Sequence, residues 1–322
     1  MRVGIAGLGK MGQNHLHELR KDGEFSVAAL YDLKKNAEFN EPFFDDLSEF
    51  LAQNLDIIII ASPTSSHLAL AKAVLPRVKT ALIEKPLAMN LNEMNEILNL
   101  AKIHKNAVAV GFSERFNPAI LALKKALKNE KIISINARRY SPFPTRISDV
   151  GILQDLSIHD VDLVGFLSGA SFARQGFASI TKDGREIEAM ITLKSMNFSC
   201  ESSVNLGSAD LKGAKNLENS RFKNLKGVEN AENSAKIIAT LHQSWNCTQK
   251  LRQISVITEK SFFEADLNAF KLRKDGVSIE LENTSPLFSE HKELLKLAKS
   301  GEQGLLADIN AAINAQACLE LA

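Results

Sequence analysis

The sequence predicts an α/β protein of two domains: a doubly wound parallel sheet first, then a second domain rich in strands. Three observations predict it. A glycine-rich turn follows a short apolar strand at the N-terminus, apolar strands then alternate with helix-like segments as far as residue 118, and strand-like runs dominate beyond residue 159. The length agrees, because 322 residues exceed what one core usually organises. The expected division is 1–118 and 119–322.

Residues 2–6 form the first apolar strand, and Gly7-Leu8-Gly9-Lys10-Met11-Gly12 opens a segment whose apolar spacing (Met11, Leu16, Leu19) is helical. This is G-x-G-x-x-G between a strand and a helix, the Rossmann fingerprint. Gly7 permits the tight turn, Gly9 lets the backbone approach a pyrophosphate, Gly12 lets helix and strand pack, and Lys10 and Met11 lie at the helix start that receives the anion. A second strand, 26–31, ends at Asp32, 20 positions after Gly12 (32 minus 12). A carboxylate there accepts hydrogen bonds from ribose hydroxyls and repels a 2′-phosphate, so NAD is expected over NADP, although Lys34 and Lys35 weigh the other way.

The third strand, 56–61, is continuously apolar, as a parallel strand covered on both faces should be. Ser62-Pro63-Thr64-Ser65-Ser66-His67 follows at the carboxyl edge, where ligands bind in open α/β sheets. Ser62, Pro63 and Thr64 are candidate cofactor contacts there; His67 is either a contact or a packing histidine. The strand 80–83 delivers Glu84-Lys85-Pro86 to the same edge. Further on, Asp155 and His159 stand i, i+4, which on a helix puts both on one face. An imidazole that titrates near neutrality suits acceptance of an alcohol proton, and a carboxylate one turn away can orient it or hold a substrate hydroxyl.

Strand-like runs at 174–180, 186–193, 197–206, 236–244, 251–258 and 261–266 make the second domain sheet-rich, and 290–299 and 305–321 read as closing helices. The polar stretch 207–234 reads as an inserted surface loop. A net charge of +1 with acids and bases interspersed gives no footprint for nucleic acid. No apolar run is long enough for a membrane span, and the start passes directly into a strand, so a cytoplasmic protein is expected. Cys200, Cys247 and Cys318 are 47 and 71 positions apart, which fits no zinc spacing; no metal is expected.

The order of these motifs resembles the Gfo/Idh/MocA family of oxidoreductases. The resemblance runs from Gly7–Gly12 through Glu84-Lys85-Pro86 and Gly111-Phe-Ser-Glu-Arg115-Phe-Asn117-Pro118 to Gly151-Ile-Leu-Gln-Asp155-Leu-Ser-Ile-His159-Asp-Val-Asp162. It implies a second domain with a large open, mainly antiparallel sheet that commonly joins subunits, hence a homodimer or homotetramer. It also implies that Lys85 lies between nicotinamide and substrate, with Glu84 beside it among the cofactor-side residues. His159 is then the preferred general base, Lys85 the electrophilic partner or alternative base, and Asp155 a substrate-positioning group.

Within the family, Ser113-Glu-Arg115-Phe-Asn117-Pro118, Arg138-Arg139-Tyr-Ser-Pro-Phe-Pro-Thr-Arg146 and Ser244-Trp245 look most like the UDP-N-acetylglucosamine 3-dehydrogenase branch. That likeness implies NAD-dependent oxidation of a sugar C3 hydroxyl to a ketone, coupled to an aminotransferase that makes a 3-amino sugar for lipid A or related glycans. Arg115, Arg139 and Arg146 are candidate diphosphate contacts, since guanidinium forks match phosphate oxygens, and Asn117 is a candidate sugar contact. One departure is Phe112, where histidine is common in the family. The rival readings are a dehydrogenase of another substrate, such as inositol or a UDP-sugar uronic acid, and a non-catalytic dinucleotide-binding regulator.

Overall fold

A computed structural model describes residues 1–35, 38–144, 151–196 and 236–320. Arg146, Cys200, the strand expected at 197–206 and the insertion 207–234 lie outside the described residues.

The N-terminal sheet is built from β1 (Arg2–Ala6), β2 (Ser26–Tyr31), β3 (Phe43–Phe44), β4 (Ile57–Ile60), β5 (Thr80–Glu84) and β6 (Ala107–Gly111), in the order β3-β2-β1-β4-β5-β6. Every pairing in it is parallel. The four isoleucines of β4 are all buried, because helices cover both faces. Each such side chain stabilises the fold by roughly 1.5–3 kcal/mol relative to exposure. The helices are α1 (Lys10–Leu19), α2 (Leu47–Leu51), α3 (His67–Val74) and α4 (Leu91–His104), the last capped by Asn90, whose side chain accepts from the Glu93 N–H. Strand order reverses between β1 and β4, and the carboxyl ends of these strands open onto a crevice, the usual ligand position in such sheets.

After a tight turn at Ser113–Phe116 and helix α5 (Pro118–Ala126), the chain enters a sheet of eight strands. These are β7 (Ile132–Tyr140), β8 (Phe172–Lys182), β9 (Arg185–Ser195), β10 (Ile238–Ser244), β11 (Leu251–Thr258), β12 (Phe262–Asp266), β13 (Lys271–Lys274) and β14 (Val277–Ile279). The order is β14-β13-β12-β11-β7-β10-β9-β8, antiparallel except where β7 meets β10. Side chains alternate along most of β7: Ile135, Ala137 and Arg139 are buried while Arg138 is exposed, and Ile133, beside a register shift, falls outside this alternation. The open face carries Met190, Ile238 and Ile257.

A wide π-helical turn, Leu153–Ser157, runs directly into α6 (Ile158–Ser168) on the covered side of this sheet. The chain then ends in α7 (Pro286–Ser300) and α8 (Ile309–Leu319). These two return to the first sheet: α7 packs on α1, α8 on α4 and α6, and Ala307 bridges to Val110 of β6. Leu294, Leu295 and Leu297 of α7 therefore share a core with Val3, Ile5 and Leu16. No helix among the described residues is long and apolar enough to cross a membrane.

Candidate active site

A cleft of about 1480 Å³ runs along the crevice between the two sheets. At one end the glycine turn forms its floor. Gly7 adopts φ +98°, and a Cβ on Gly12 would strike the Gly7 carbonyl oxygen, so neither position accepts a side chain without a shift. Beside Gly9 there is open space, and α1 begins at Lys10 with no side chain capping its first N–H groups. Those donors are available to an anion. Asp32 closes this end, with one carboxylate oxygen taking the Leu8 N–H at 2.7 Å. A dinucleotide pyrophosphate and ribose fit this donor and acceptor set. Lys10, Met11, Ser62, Pro63 and Glu84 also line the cleft.

The other end gathers Lys85, Asp155 and His159. The Lys85 Nζ donates to the Asp155 carbonyl at 3.1 Å and lies 3.6 Å from its carboxylate. Of the two roles the sequence left open for Asp155, orienting the imidazole is not the one that forms; its carboxylate pairs with Lys85. Burial lowers the Lys85 ammonium below its ordinary value, opposed by Asp155 and Glu84. His159 is pushed well below its usual range, first by burial and then by the positive charges of Lys85, Arg139 and Arg252. The result is a neutral imidazole near pH 7. Its Nδ1 has no partner among the described residues, and the ring stands edge-on to Phe112, 6.1 Å between centroids.

The two are held in place differently. Lys85 rides on the end of β5, where the Lys85–Pro86 peptide is cis. Asp155 and His159 hang from the π turn and the start of α6, and such π turns recur at functional sites. A buried polar network fixes that turn: Ser157 Oγ donates to Gln243, Gln243 donates to Asp160, and Arg139 clasps Asp160 at 2.8 and 3.0 Å. Arg139 also reaches Glu114, as does Arg252 from β11, the two nitrogens 3.0 and 2.9 Å from the same carboxylate oxygen. Burial alone would raise the Glu114 carboxyl, but these two cations outweigh it and hold it low.

Residues 1–112 match the family described as "Oxidoreductase family, NAD-binding Rossmann fold". The N-terminal 112 residues thus carry the match to the Gfo/Idh/MocA family of oxidoreductases. It is 30% identical over 200 residues to a UDP-N-acetylglucosamine 3-dehydrogenase of Acidithiobacillus ferrooxidans, covering 60% of this chain and 63% of that protein. It is 29% identical over 185 residues to a myo-inositol 2-dehydrogenase of Thermotoga maritima, covering 52% and 55%. The matched stretches thus span less than two thirds of these relatives. A solved structure of the Acidithiobacillus ferrooxidans 3-dehydrogenase superposes with a TM-score of 0.77 at 21% identity, over 99% of both chains, which shows a shared fold.

Within this cleft several candidate residues are placed otherwise than the sequence suggests. Arg115 lies outside it: its fork is buried against Asp162, Nε to Oδ2 at 2.8 Å and Nη2 to Oδ1 at 2.5 Å, so it has no free edge for a phosphate. Asn117 is buried as the cap of α5, accepting from Ala119 and donating to the Leu267 carbonyl, which removes it as a sugar contact. His67 is sealed between the carbonyls of Pro86 and Ser62, 3.0 and 2.9 Å away, and is a brace rather than a cofactor contact. Thr64 is not among the lining residues, whereas Ser65 and Ser66 are. Arg139 does line the cleft, but Asp160 and Glu114 saturate its charge.

Arg252 and Glu114 are charged lining residues that sequence reasoning missed, and Arg252 is the one with donors left over. It uses one nitrogen on Glu114 and leaves its side chain 43% exposed. The only signal for it was its place in a strand, since a single arginine on an alternating strand reads as surface. Pairing of β11 with β7 sets Arg252 opposite Arg139.

Proposed function

We propose that this protein is an NAD-dependent dehydrogenase that oxidises the C3 hydroxyl of UDP-N-acetylglucosamine to a 3-keto sugar nucleotide. The observation that carries the reading is Arg252: a guanidinium with donors to spare, lining the same cleft as Lys85, Asp155 and His159. A diphosphate needs such a group, while a free polyol does not. The sugar-nucleotide relative supports the same choice.

In this reading the nicotinamide, when bound, takes the hydride from the carbinol carbon. The chain's own groups handle the proton. His159, kept neutral by burial and neighbouring cations, accepts it from the hydroxyl. The Lys85 ammonium stabilises the developing alkoxide, and Asp155 holds Lys85 in place. Asp32 at the far end favours NAD over NADP, because a carboxylate repels a 2′-phosphate. The 3-keto product then feeds an aminotransferase that makes a 3-amino sugar of the lipid A type. The proposal includes a homo-oligomer joined through the open sheet face, supported by exposed Met190, Ile238 and Ile257.

The inositol dehydrogenase relative favours a second reading in which the substrate is a cyclic polyol. Purified protein would be mixed with NAD or NADP, glutamate, a 3-aminotransferase, and either UDP-N-acetylglucosamine or myo-inositol, following reduced cofactor by absorbance and products by mass. A UDP-sugar with a new amino group, formed with NAD, is the expected outcome. Reduced cofactor with inositol alone would overturn the sugar-nucleotide assignment. Cofactor binding with no reduction by either would favour a regulator, against which the convergence of Lys85, Asp155 and His159 weighs.

A further inference from the structure

The cleft wall at Glu84 continues into the protein interior. Glu84 Oε2 takes the Lys85 backbone N–H at 3.2 Å, and Oε1 lies 2.9 Å from His15 Nε2. His15 Nδ1 in turn lies 2.8 Å from His291 Nε2. The chain of contacts thus joins the end of β5, helix α1 and helix α7. Gly111 makes room for it, since a Cβ there would stand 2.5 Å from Glu84 Oε1. His15, His291 and the adjacent Glu290 are all 0% exposed, and the His291 Nδ1 and both Glu290 carboxyl oxygens have no partner among the described residues. Leaving such groups unpaired costs stability that apolar side chains of similar size would keep. A structural role alone accounts poorly for them.

The geometry allows one economical arrangement of protons. Burial, with His15 as a lesser cause, holds His291 well below its usual range, so it carries one ring proton. On Nε2 that proton reaches His15 Nδ1; on Nδ1 it would have no acceptor among the described residues. His15 then keeps its proton on Nε2, directed at Glu84. Every donor in the series points toward the Glu84 carboxylate. Glu290 supplies the complement: burial first, and the charge of Glu84 next, push its carboxyl well above the ordinary range, against the pull of Arg115. Glu290 holds a proton.

We propose that His291 and His15 are positioning residues of the active site, a directed hydrogen-bond chain that orients the Glu84 carboxylate and so holds the Lys85 amine in its place in the cleft. Around that amine, Glu84 and Asp155 favour the ammonium, while burial and Arg139 oppose it, with His159 the facing titratable group on α6. Without the Glu84 carboxylate, Lys85 is left with Asp155 and the more distant Glu114 against burial and Arg139. This rests on Lys85 acting in the proposed reaction, but its test needs no substrate.

The test is competitive acetylation of Lys85 by acetic anhydride across a pH series, read by mass spectrometry of its peptide, which follows the free amine directly. Glu84→Gln should move the labelling curve to lower pH, with about tenfold more labelling at a fixed pH below the transition. His15→Phe should move it the same way, and His15→Gln, which keeps an N–H donor toward Glu84, should restore it. A structural filling role would not be rescued that way. A folded His15→Phe protein with the wild-type curve would overturn the proposal, as would an unmoved curve in Glu84→Gln. Where the variants fail to fold, 15N imidazole shifts of the wild-type protein near pH 7 decide: both histidines should carry their single proton on Nε2. A proton on His291 Nδ1, or on both nitrogens of His15, would overturn the chain. Absence of turnover with any substrate, alongside these shifts, would sink the substrate assignment and leave the relay standing.

Discussion

The two walls of the cleft are built on different terms. On the first-sheet side the named side chains are already engaged, Asp32 by Leu8, Glu84 by His15 and the Lys85 N–H, His67 by two carbonyls, and what stands open is the backbone N–H of the start of α1. On the second-sheet side the groups are incomplete, with His159 Nδ1 unpartnered among the described residues and Arg252 half open. Buried polar atoms in native proteins are rarely left unpaired without a reason. The cofactor side is preformed by backbone and closed networks, whereas the substrate side is made of side chains that a ligand completes.

The sharpest way to break that contrast is at Lys85, which follows a strand of the first wall and reaches Asp155 on the second. Lys85→Ala should lower kcat by about 10³-fold, within the range for a positioned proton-transfer group, while NAD affinity changes little. His159→Asn should cost about 10²-fold. The pH profile separates the two roles. Because burial and neighbouring cations depress His159, the acid limb of kcat/KM should fall below pH 6.5 in the wild type. Removing the Lys85 cation should move that limb upward. A limb that stays put in Lys85→Ala would mean His159 is not the group titrating there.

Next in size is a comparison of two arginines the sequence could not tell apart. Asp162→Ala strands the buried Arg115 and should cost roughly 3–5 kcal/mol in denaturant unfolding, because an uncompensated charge remains inside. Arg252→Ala breaks a half-exposed pair, so its stability cost should stay within about 1 kcal/mol. Its effect should instead fall on KM for the sugar nucleotide, raised about tenfold with kcat nearly kept. The opposite pattern, with stability lost at Arg252 and KM untouched, would remove it from the substrate wall.

Much of the first wall was legible because its signals are backbone signals. Gly7, Gly9, Gly12, the apolar run 57–60 and Asp32 have spacing set by strand, turn and helix geometry alone. Strands β8 to β12 and the two closing helices were likewise visible from alternation and period, apart from a few residues at their ends. Strand β7 was harder. Its inward positions run Ile135, Ala137, Arg139, so a buried cation interrupts the apolar alternation where the strand reaches the site. The π turn also leaves no mark, since Asp155 and His159 at i, i+4 read as an ordinary helix. The role of an arginine is set by which carboxylate folding brings to it: Arg115 meets Asp162, Arg139 meets Asp160, and Arg252 meets only the shared Glu114. Those partners come from distant stretches of chain that no local pattern joins. The same holds for His15 and His291, 276 positions apart.

The smallest effect tests the closed side of the comparison from within. In the folded protein Glu290 keeps its proton, but in the unfolded chain it ionises above the ordinary 4.5. The native state therefore binds one more proton there, and this group's contribution to stability falls as pH rises from 4.5 toward the folded value. The buried histidines His159 and His291 act oppositely, since they are neutral when folded and take up protons on unfolding below the ordinary 6.5, so their contribution is lost as pH falls. Glu290→Gln removes only the first effect. Its stability relative to wild type should rise by about 1.4 kcal/mol for each pH unit above 4.5, measured by urea unfolding at several pH values. Parallel curves would mean that Glu290 is ionised beside Glu84 in the folded state. Two buried carboxylates would then share that wall, and its polar groups would be no more settled than those across the cleft.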